Sequence, residues 1–257
     1  MKITAINASH RGDHGHTRFL IDRIFQGAQE AGAECEVVTL SRLKIGRCLA
    51  CSQCQTEAHY LRCVQEDKDD VRQVFDTMAR ADILIYATPV YLYSMTGILK
   101  TLLDRLYGIC DIADAKVSRS GLLHHHVNEA VCCKPFVTLV VCGNIEVETT
   151  KNVLSYFRTY ARFMDAPHVG TLVRNAAGYL GTNGKPATND HVRAVCAAYG
   201  QAGRELVTLE HIRATTQRRA NAEIVPVLLF GLLRRLPVRP LKQIMAAEVR
   251  KAARTQR

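Results

Sequence analysis

The sequence predicts an α/β protein: a doubly wound sheet of five parallel strands, followed by a basic helical C-terminal extension. Three observations predict it. Short, nearly continuous apolar runs, of the kind buried on both faces of a sheet, alternate with segments whose apolar residues recur at helical spacing. That alternation implies parallel strands joined by crossover helices. The charge is also lopsided: of a net +10, the residues from Arg213 onward carry +9, from eleven Lys/Arg and two Asp/Glu. A chain of 257 residues, 47% hydrophobic, suffices for one such domain with a full core and an appendage.

Each element can be read in order. Lys2–Ala8 is the first buried strand. Thr17–Ala31 places Leu20, Ile24, Ala28 and Ala31 on one helical face and stops at Gly32. Cys35–Leu40 is the second strand. An irregular cysteine-bearing insertion, about 46–66, precedes the helix Asp70–Arg80, whose stripe is Val71, Val74, Phe75 and Met78. Ile83–Ala87 is the third strand. Ser94–Tyr107 reads as a helix with Ile98, Leu99, Leu102 and Leu106 on one side. Gly108–Lys134 lacks clear periodicity and reads as an excursion. The strand Phe136–Cys142, the helix Thr149–Met164, the strand Val169–Val173 and the helix Asp190–His211 complete the pattern. Five strands in this order suit the flavodoxin-like version of the doubly wound fold. The domain is set at residues 1–212 and the extension at 213–257.

No stretch approaches the ~20 apolar residues of a membrane span. The N-terminal apolar run is too brief for a signal peptide, so a cytoplasmic protein is expected. Ten cysteines in a reducing compartment point to metal or redox chemistry more than to disulfides.

Two loops follow strand ends where ligands bind in open α/β sheets. The first is Ser9–Thr17, polar, glycine-containing and placed before a helix. Its free backbone N–H groups and the positive helix end suit a phosphate, with hydroxyls from Ser9 and Thr17 and charge from Arg11. The same features also describe an ordinary loop with Thr17 as helix cap. Neither a Walker A sequence nor Gly-x-Gly-x-x-Gly is present, which argues against ATP and a Rossmann dinucleotide. The second loop runs from Pro89 through Val90 and Tyr91 to Ser94. Pro89 stiffens it and Tyr91 offers a flat apolar face. Gly143, after the fourth strand, permits close backbone approach.

Cys48, Cys51, Cys54 and Cys63 lie in one window, with gaps of two, two and eight residues. That spacing suits a four-iron cluster, a four-cysteine zinc site, or plain free thiols. His124-His125-His126 reads as a loop at a subunit contact or, alternatively, a metal-binding tract. Cys132-Cys133 reads as the entry to a strand.

On these residues the chain resembles the NADPH-dependent FMN reductase branch of the flavodoxin-like superfamily. Ser9, Arg11 and Thr17 match the family's first loop, with His16 where Asn or Ser is usual. Pro89, Tyr91, Ser94, Leu99-Lys100 and Asp104-Arg105 match its second loop in order, and Asp69-Asp70 and Ala81-Asp82 also fit. The resemblance extends over about Met1 to Val173. It implies FMN, with its phosphate on Ser9, Arg11, His16 and Thr17 and its ring against Pro89, Val90, Tyr91, Ser94 and Gly143. The cysteine motif resembles that of the iron–sulfur flavoproteins, although its last gap is longer than usual. That likeness implies a 4Fe–4S cluster on Cys48, Cys51, Cys54 and Cys63 that passes electrons to FMN.

The expected activity is FMN-dependent redox chemistry, with NAD(P)H or a ferredoxin-like protein as donor. No side chain stands out as a general acid or base. The alternatives are an NAD(P)H-dependent FMN or quinone reductase without a cluster, and a non-catalytic carrier or sensor with zinc or free thiols. A homo-oligomer, dimer or tetramer, is expected. The extension, with Ile224–Leu233 followed by Arg234, Arg235, Arg239 and Lys242, is expected to dock on protein. Contact with an anionic membrane surface is the alternative. Nucleic acid is not expected, because no aromatic platform accompanies the charge.

Overall fold

A computed structural model of the chain describes residues 1–182, 185–186 and 189–225. The chain divides into two compact units, Met1–Ala222 and Glu223–Arg257. Of the second, only Glu223–Val225 fall among the described residues, so the expectations for residues 226–257 lie outside them.

The strands β1 (Lys2–Asn7), β2 (Glu34–Thr39) and β3 (Ile83–Pro89) form where apolar and β-branched residues run together. Between them lie the helices α1 (His16–Glu30) and α2 (Val71–Arg80). Next come α3 (Gly97–Asp104), a hairpin of β4 (Cys110–Val117) and β5 (Leu123–Val127), and the short α4 (Glu129–Cys132). The chain continues through β6 (Phe136–Val141), α5 (Lys151–Phe163), β7 (His168–Arg174), α6 (Asp190–Leu209) and α7 (Ala214–Ala220).

Five strands form one parallel sheet in the order β2-β1-β3-β6-β7, the flavodoxin-like order. The three central strands are buried almost end to end, as apolar runs require when helices cover both faces. On one side α1 packs against α6, and glycine makes that approach possible. A Cβ on Gly27 would stand 1.8 Å from the Gly200 carbonyl oxygen, and one on Gly203 would stand 1.9 Å from that of Ile24. On the other side Tyr86, Phe136, Phe157 and Tyr160 form a ring cluster with centroids 5.2–6.4 Å apart.

Three differences from the sequence reading have physical reasons. The expected helix Ser94–Tyr107 begins only at Gly97, because Tyr91 and Ser94 first pair in a tight reverse turn. It then tightens to a 3₁₀ helix over Arg105–Ile109, where the Arg105 side chain turns inward. The excursion Gly108–Lys134 contains the β4–β5 hairpin. A register shift between Asp111 and Ala115 and an exposed outer face hide its alternation.

The compact unit runs to Ala222. Gln217 and Asn221 of α7 and its C-terminus bind the backbone of β7, at Thr171 and Val173. Buried Arg174 adds guanidinium bonds to the carbonyls of Ala220 and Ala222, so its charge rests on the negative end of α7. Among the described residues no helix is long and apolar enough to cross a membrane.

Candidate functional site

The sheet order reverses at β1 and β3, and the two loops singled out in the sequence leave these neighbouring strands side by side. The loop after β1 is built from short polar contacts. The Asn7 amide donates to the Gly12 carbonyl at 3.1 Å, while its oxygen accepts from the Ser9 N–H. Ser9 Oγ accepts from the Arg11 N–H at 3.2 Å. Gly12 sits at φ +56°, a left-handed position that turns the chain back toward α1. Gly15 precedes the helix in extended conformation. The Phe19 N–H reaches the Gly15 carbonyl at 3.1 Å, so the N–H groups before it in the first turn have no carbonyl partner within the helix.

Those groups and the helix dipole make this end of α1 suited to an anion. Ser9 and Thr17 are buried in the turn, and Arg11 is exposed at its rim. A Cβ on Gly15 would meet Ser9 Oγ at 3.0 Å and Arg11 Cβ at 3.3 Å, so any larger residue would crowd this cradle. His16 is half-buried, and burial, with Arg11 nearby, lowers its pKa and favours the neutral ring. Asp13 points its charge elsewhere, pairing with Arg18 at 2.6 Å and with Arg42.

The loop after β3 is stiff and strained. Val90 N–H holds the Val141 carbonyl at 2.8 Å, and Tyr91 and Ser94 exchange backbone bonds of 2.9 and 3.2 Å. Leu92 and Tyr93 at the tip both have positive φ, 45° and 65°, which is unfavourable for such side chains. They are 89% and 60% exposed. Asn152 Nδ2 steadies the tip by donating to the Tyr93 carbonyl at 3.1 Å. The two loops meet through His10 and Tyr91, whose rings lie nearly parallel with centroids 5.9 Å apart. The third strand end brings Gly143, exposed and with nothing within 4 Å of a Cβ position, beside the buried Cys142.

Asn7, His10 and Asn152 were missed in the sequence reading. Asn7, two residues before Ser9, carries a readable signal, since such asparagines organise turns through their side chains. His10 and Asn152 carry none.

The cysteine segment is organised differently. Its two ends are fixed by a buried ion pair between Arg105 and Asp69, with both side chains only 2% exposed. Arg105 also donates to the Gly46 carbonyl at 2.9 Å, and Asp69 accepts from the Gly46 and Val71 N–H groups. Lys44 and Asp70 exchange two further bonds, of 2.7 and 2.9 Å. Asp69-Asp70 and Arg105 thus clamp this segment to α2 and α3. In its middle, Gln55 Nε2 reaches the Cys110 carbonyl at 2.8 Å.

The four thiols differ in setting. Cys51 is exposed, Cys54 is buried, and Cys48 and Cys63 are half-buried. Burial, reinforced by neighbouring Cys63 and Cys48, pushes the Cys54 thiol up. The number and type of donors match a four-thiolate site, but their placement does not. Among the described residues no group of three or more His, Cys, Asp or Glu is arranged to hold a metal ion. The same holds for His124–His126, which lie along β5 with His126 Nδ1 3.6 Å from Asp114.

Residues 1–127 match the model of a family described as NADPH-dependent FMN reductase. This part of the chain belongs to that family. The match covers both loops and the cysteine segment but stops short of β6, where the resemblance read from the sequence was expected to continue. Two curated relatives of the reductase-family region are iron–sulfur flavoproteins. One, from Archaeoglobus fulgidus, is 34% identical over 105 residues, 41% of this chain and 48% of the relative. One from Methanocaldococcus jannaschii is 37% identical over 109 residues, 42% of this chain and 52% of the relative. The chain thus spans about half the length of the curated relatives it matches.

Among solved structures, a flavone reductase has TM-score 0.55 and 19% identity, covering 83% of this chain and 65% of the other. An FMN-dependent NADH-azoreductase from Bacillus anthracis, in complex with FMN, has TM-score 0.55 and 12% identity, covering 81% and 98%. At these identities the structural likenesses establish the fold.

Proposed function

We propose that the unit Met1–Ala222 is an FMN-dependent oxidoreductase that accepts reducing equivalents from NAD(P)H or a ferredoxin-like donor. The observation that carries this reading is the meeting of an anion-ready turn with a rigid, ring-bearing turn at the ends of β1 and β3. An FMN molecule offers a phosphate to the first and a flat ring system to the second. FMN, when bound, supplies the hydride or electron chemistry.

The chain's own residues supply position. Ser9, Thr17 and the first-turn N–H groups of α1 would hold the phosphate, with Arg11 balancing its charge and His16 beside it. Pro89, Val90 and Tyr91 would lie along the ring, Ser94 would keep the turn closed, and Gly143 would leave room at the far edge. Leu92 and Tyr93, exposed at the rim, support assembly as a homo-oligomer. The test is anaerobic: protein loaded with FMN is mixed with NADPH or NADH, and the visible flavin absorption is followed. Rapid bleaching by a nicotinamide supports the reading. A flavin that only chemical reductants bleach overturns the nicotinamide arm and leaves a carrier.

A second reading adds a 4Fe–4S cluster on Cys48, Cys51, Cys54 and Cys63. It is favoured by the closeness of Cys54 to Cys48 and Cys63, and by the names of the two curated relatives. It requires Cys51 to turn inward from its exposed position. About four iron and four sulfide per chain in anaerobic preparations, lost in Cys51→Ser, is its expected result. Stoichiometric zinc or no metal overturns it.

A further inference from the structure

Cys110 and Cys132 belong to none of the groups considered so far. Cys110 opens β4 and Cys132 closes α4. The pairing of Cys110 with Val127 in the hairpin brings α4, which follows directly, back over the start of β4. Both residues are buried, at 8% and 1% exposed. Their thiols are in hydrogen-bonding contact with each other. Cys110 Sγ passes the chain on to the Leu106 carbonyl at 3.1 Å.

Both backbones are fixed from outside. The Cys110 carbonyl accepts from Gln55, and the Cys132 carbonyl accepts from Tyr160 at 3.0 Å. Two sulfurs held in contact by anchored backbones need little movement to bond. Other buried cysteines lack this arrangement: Cys142 Sγ meets the Thr149 hydroxyl at 3.3 Å, and Cys196 is shielded on α6. The contact also polarises the pair. The bond from Cys132 lowers the Cys110 pKa, while burial and Cys110 itself keep Cys132 protonated.

We propose that Cys110 and Cys132 are a redox-active dithiol that closes to a disulfide when a hydroperoxide oxidises the protein. The Cys110 thiolate attacks a peroxide oxygen; the O–O bond breaks, hydroxide leaves, and Cys110 becomes a sulfenic acid. Cys132 then attacks that sulfur, giving its proton to the departing hydroxide, and the S–O bond breaks as the S–S bond forms. Two thiols lose two electrons and two protons, and one hydrogen peroxide becomes two waters. The new bond staples the start of β4 to α4 at the point where Gln55 ties in the cysteine segment.

The test uses the full chain, purified reduced, exposed to hydrogen peroxide, quenched, alkylated under denaturation, digested and analysed by mass spectrometry. The expected result is a Cys110–Cys132 linked peptide, lighter than its parts by two hydrogens and reversed by dithiothreitol. In Cys132→Ser, Cys110 should instead be trapped by a sulfenic-acid reagent, while Cys142→Ala should leave the linked peptide unchanged. The proposal is overturned if both cysteines remain fully alkylated after peroxide. It is equally overturned if the linked peptides join only residues of the Cys48–Cys63 segment, or Cys132 to Cys133. Because wild-type protein gives the primary readout, poor folding of a variant leaves the result intact.

Discussion

The β1 loop and the cysteine segment were the two strongest chemical signals in the sequence, and the fold treats them in opposite ways. In the β1 loop the internal bonds of Asn7, Ser9 and Gly12 shape a turn whose remaining donors are left for something else. In the cysteine segment the strong bonds lie at the ends, through Asp69, Asp70 and Arg105, and the thiols between them are not drawn together. One region is organised around a ligand position and the other is organised around its attachment. Spacing in the sequence announces both equally well; only the placement of hydrogen bonds separates a formed site from a tethered one.

The largest expected effect tests the attachment. Arg105→Ala leaves Asp69 buried without its cation, which costs about 3–5 kcal/mol. Urea unfolding should show a lower midpoint. If the comparison is right, any flavin affinity of the folded fraction survives, because Arg105 serves the cysteine segment and not the β1 loop. An unchanged midpoint would mean that the ion pair is not the clamp described here.

The next effect tests the formed site. Ser9→Ala removes a hydroxyl from the anion turn and should weaken FMN binding by about 1.5–3 kcal/mol, the worth of a bond to a charged group. Cys51→Ser, in the tethered region, should leave FMN affinity unchanged. Isothermal titration of both variants checks the contrast. Equal losses in the two would erase the distinction between the regions.

How much of this was legible follows from local physics. The strands at Lys2, Ile83 and Phe136 were plain, because a strand buried on both faces is a continuous apolar run. The β4–β5 hairpin was not, because residues such as Asp111, Ala113 and Asp114 face solvent and the bulge breaks the alternation. Ser9, Thr17, Pro89 and Tyr91 were legible because they sit at the ends of legible strands. The roles of Asp69 and Arg105 were not. Their partnership spans 36 positions and exists only once α2 and α3 pack, although both residues stood out as matches to the family pattern.

The smallest effect is a pH dependence. His16 has a lowered pKa in the folded chain, from burial and Arg11, against about 6.5 unfolded. Below its unfolded pKa the unfolded state therefore takes up the proton more readily. Its contribution to stability is complete above about 6.5 and is lost as pH falls through the window down to the lowered folded value. His168, lowered by burial, acts in the same direction. Thermal unfolding from pH 7.5 to 5 should show falling stability, and His16→Gln should flatten that fall. A slope untouched by the substitution would place the titrating group elsewhere, His168 first.

The most direct test of the central claim compares two flavins that differ only in the phosphate. Purified, flavin-free protein is titrated with FMN and with riboflavin, following the quenching of flavin fluorescence. A site formed by the first turn of α1 and the Tyr91 turn predicts one FMN per chain, bound at least tenfold more tightly than riboflavin, since a charge-assisted contact of about 1.5 kcal/mol or more is lost with the phosphate. Equal affinity for the two flavins, or no binding of either, would contradict the account.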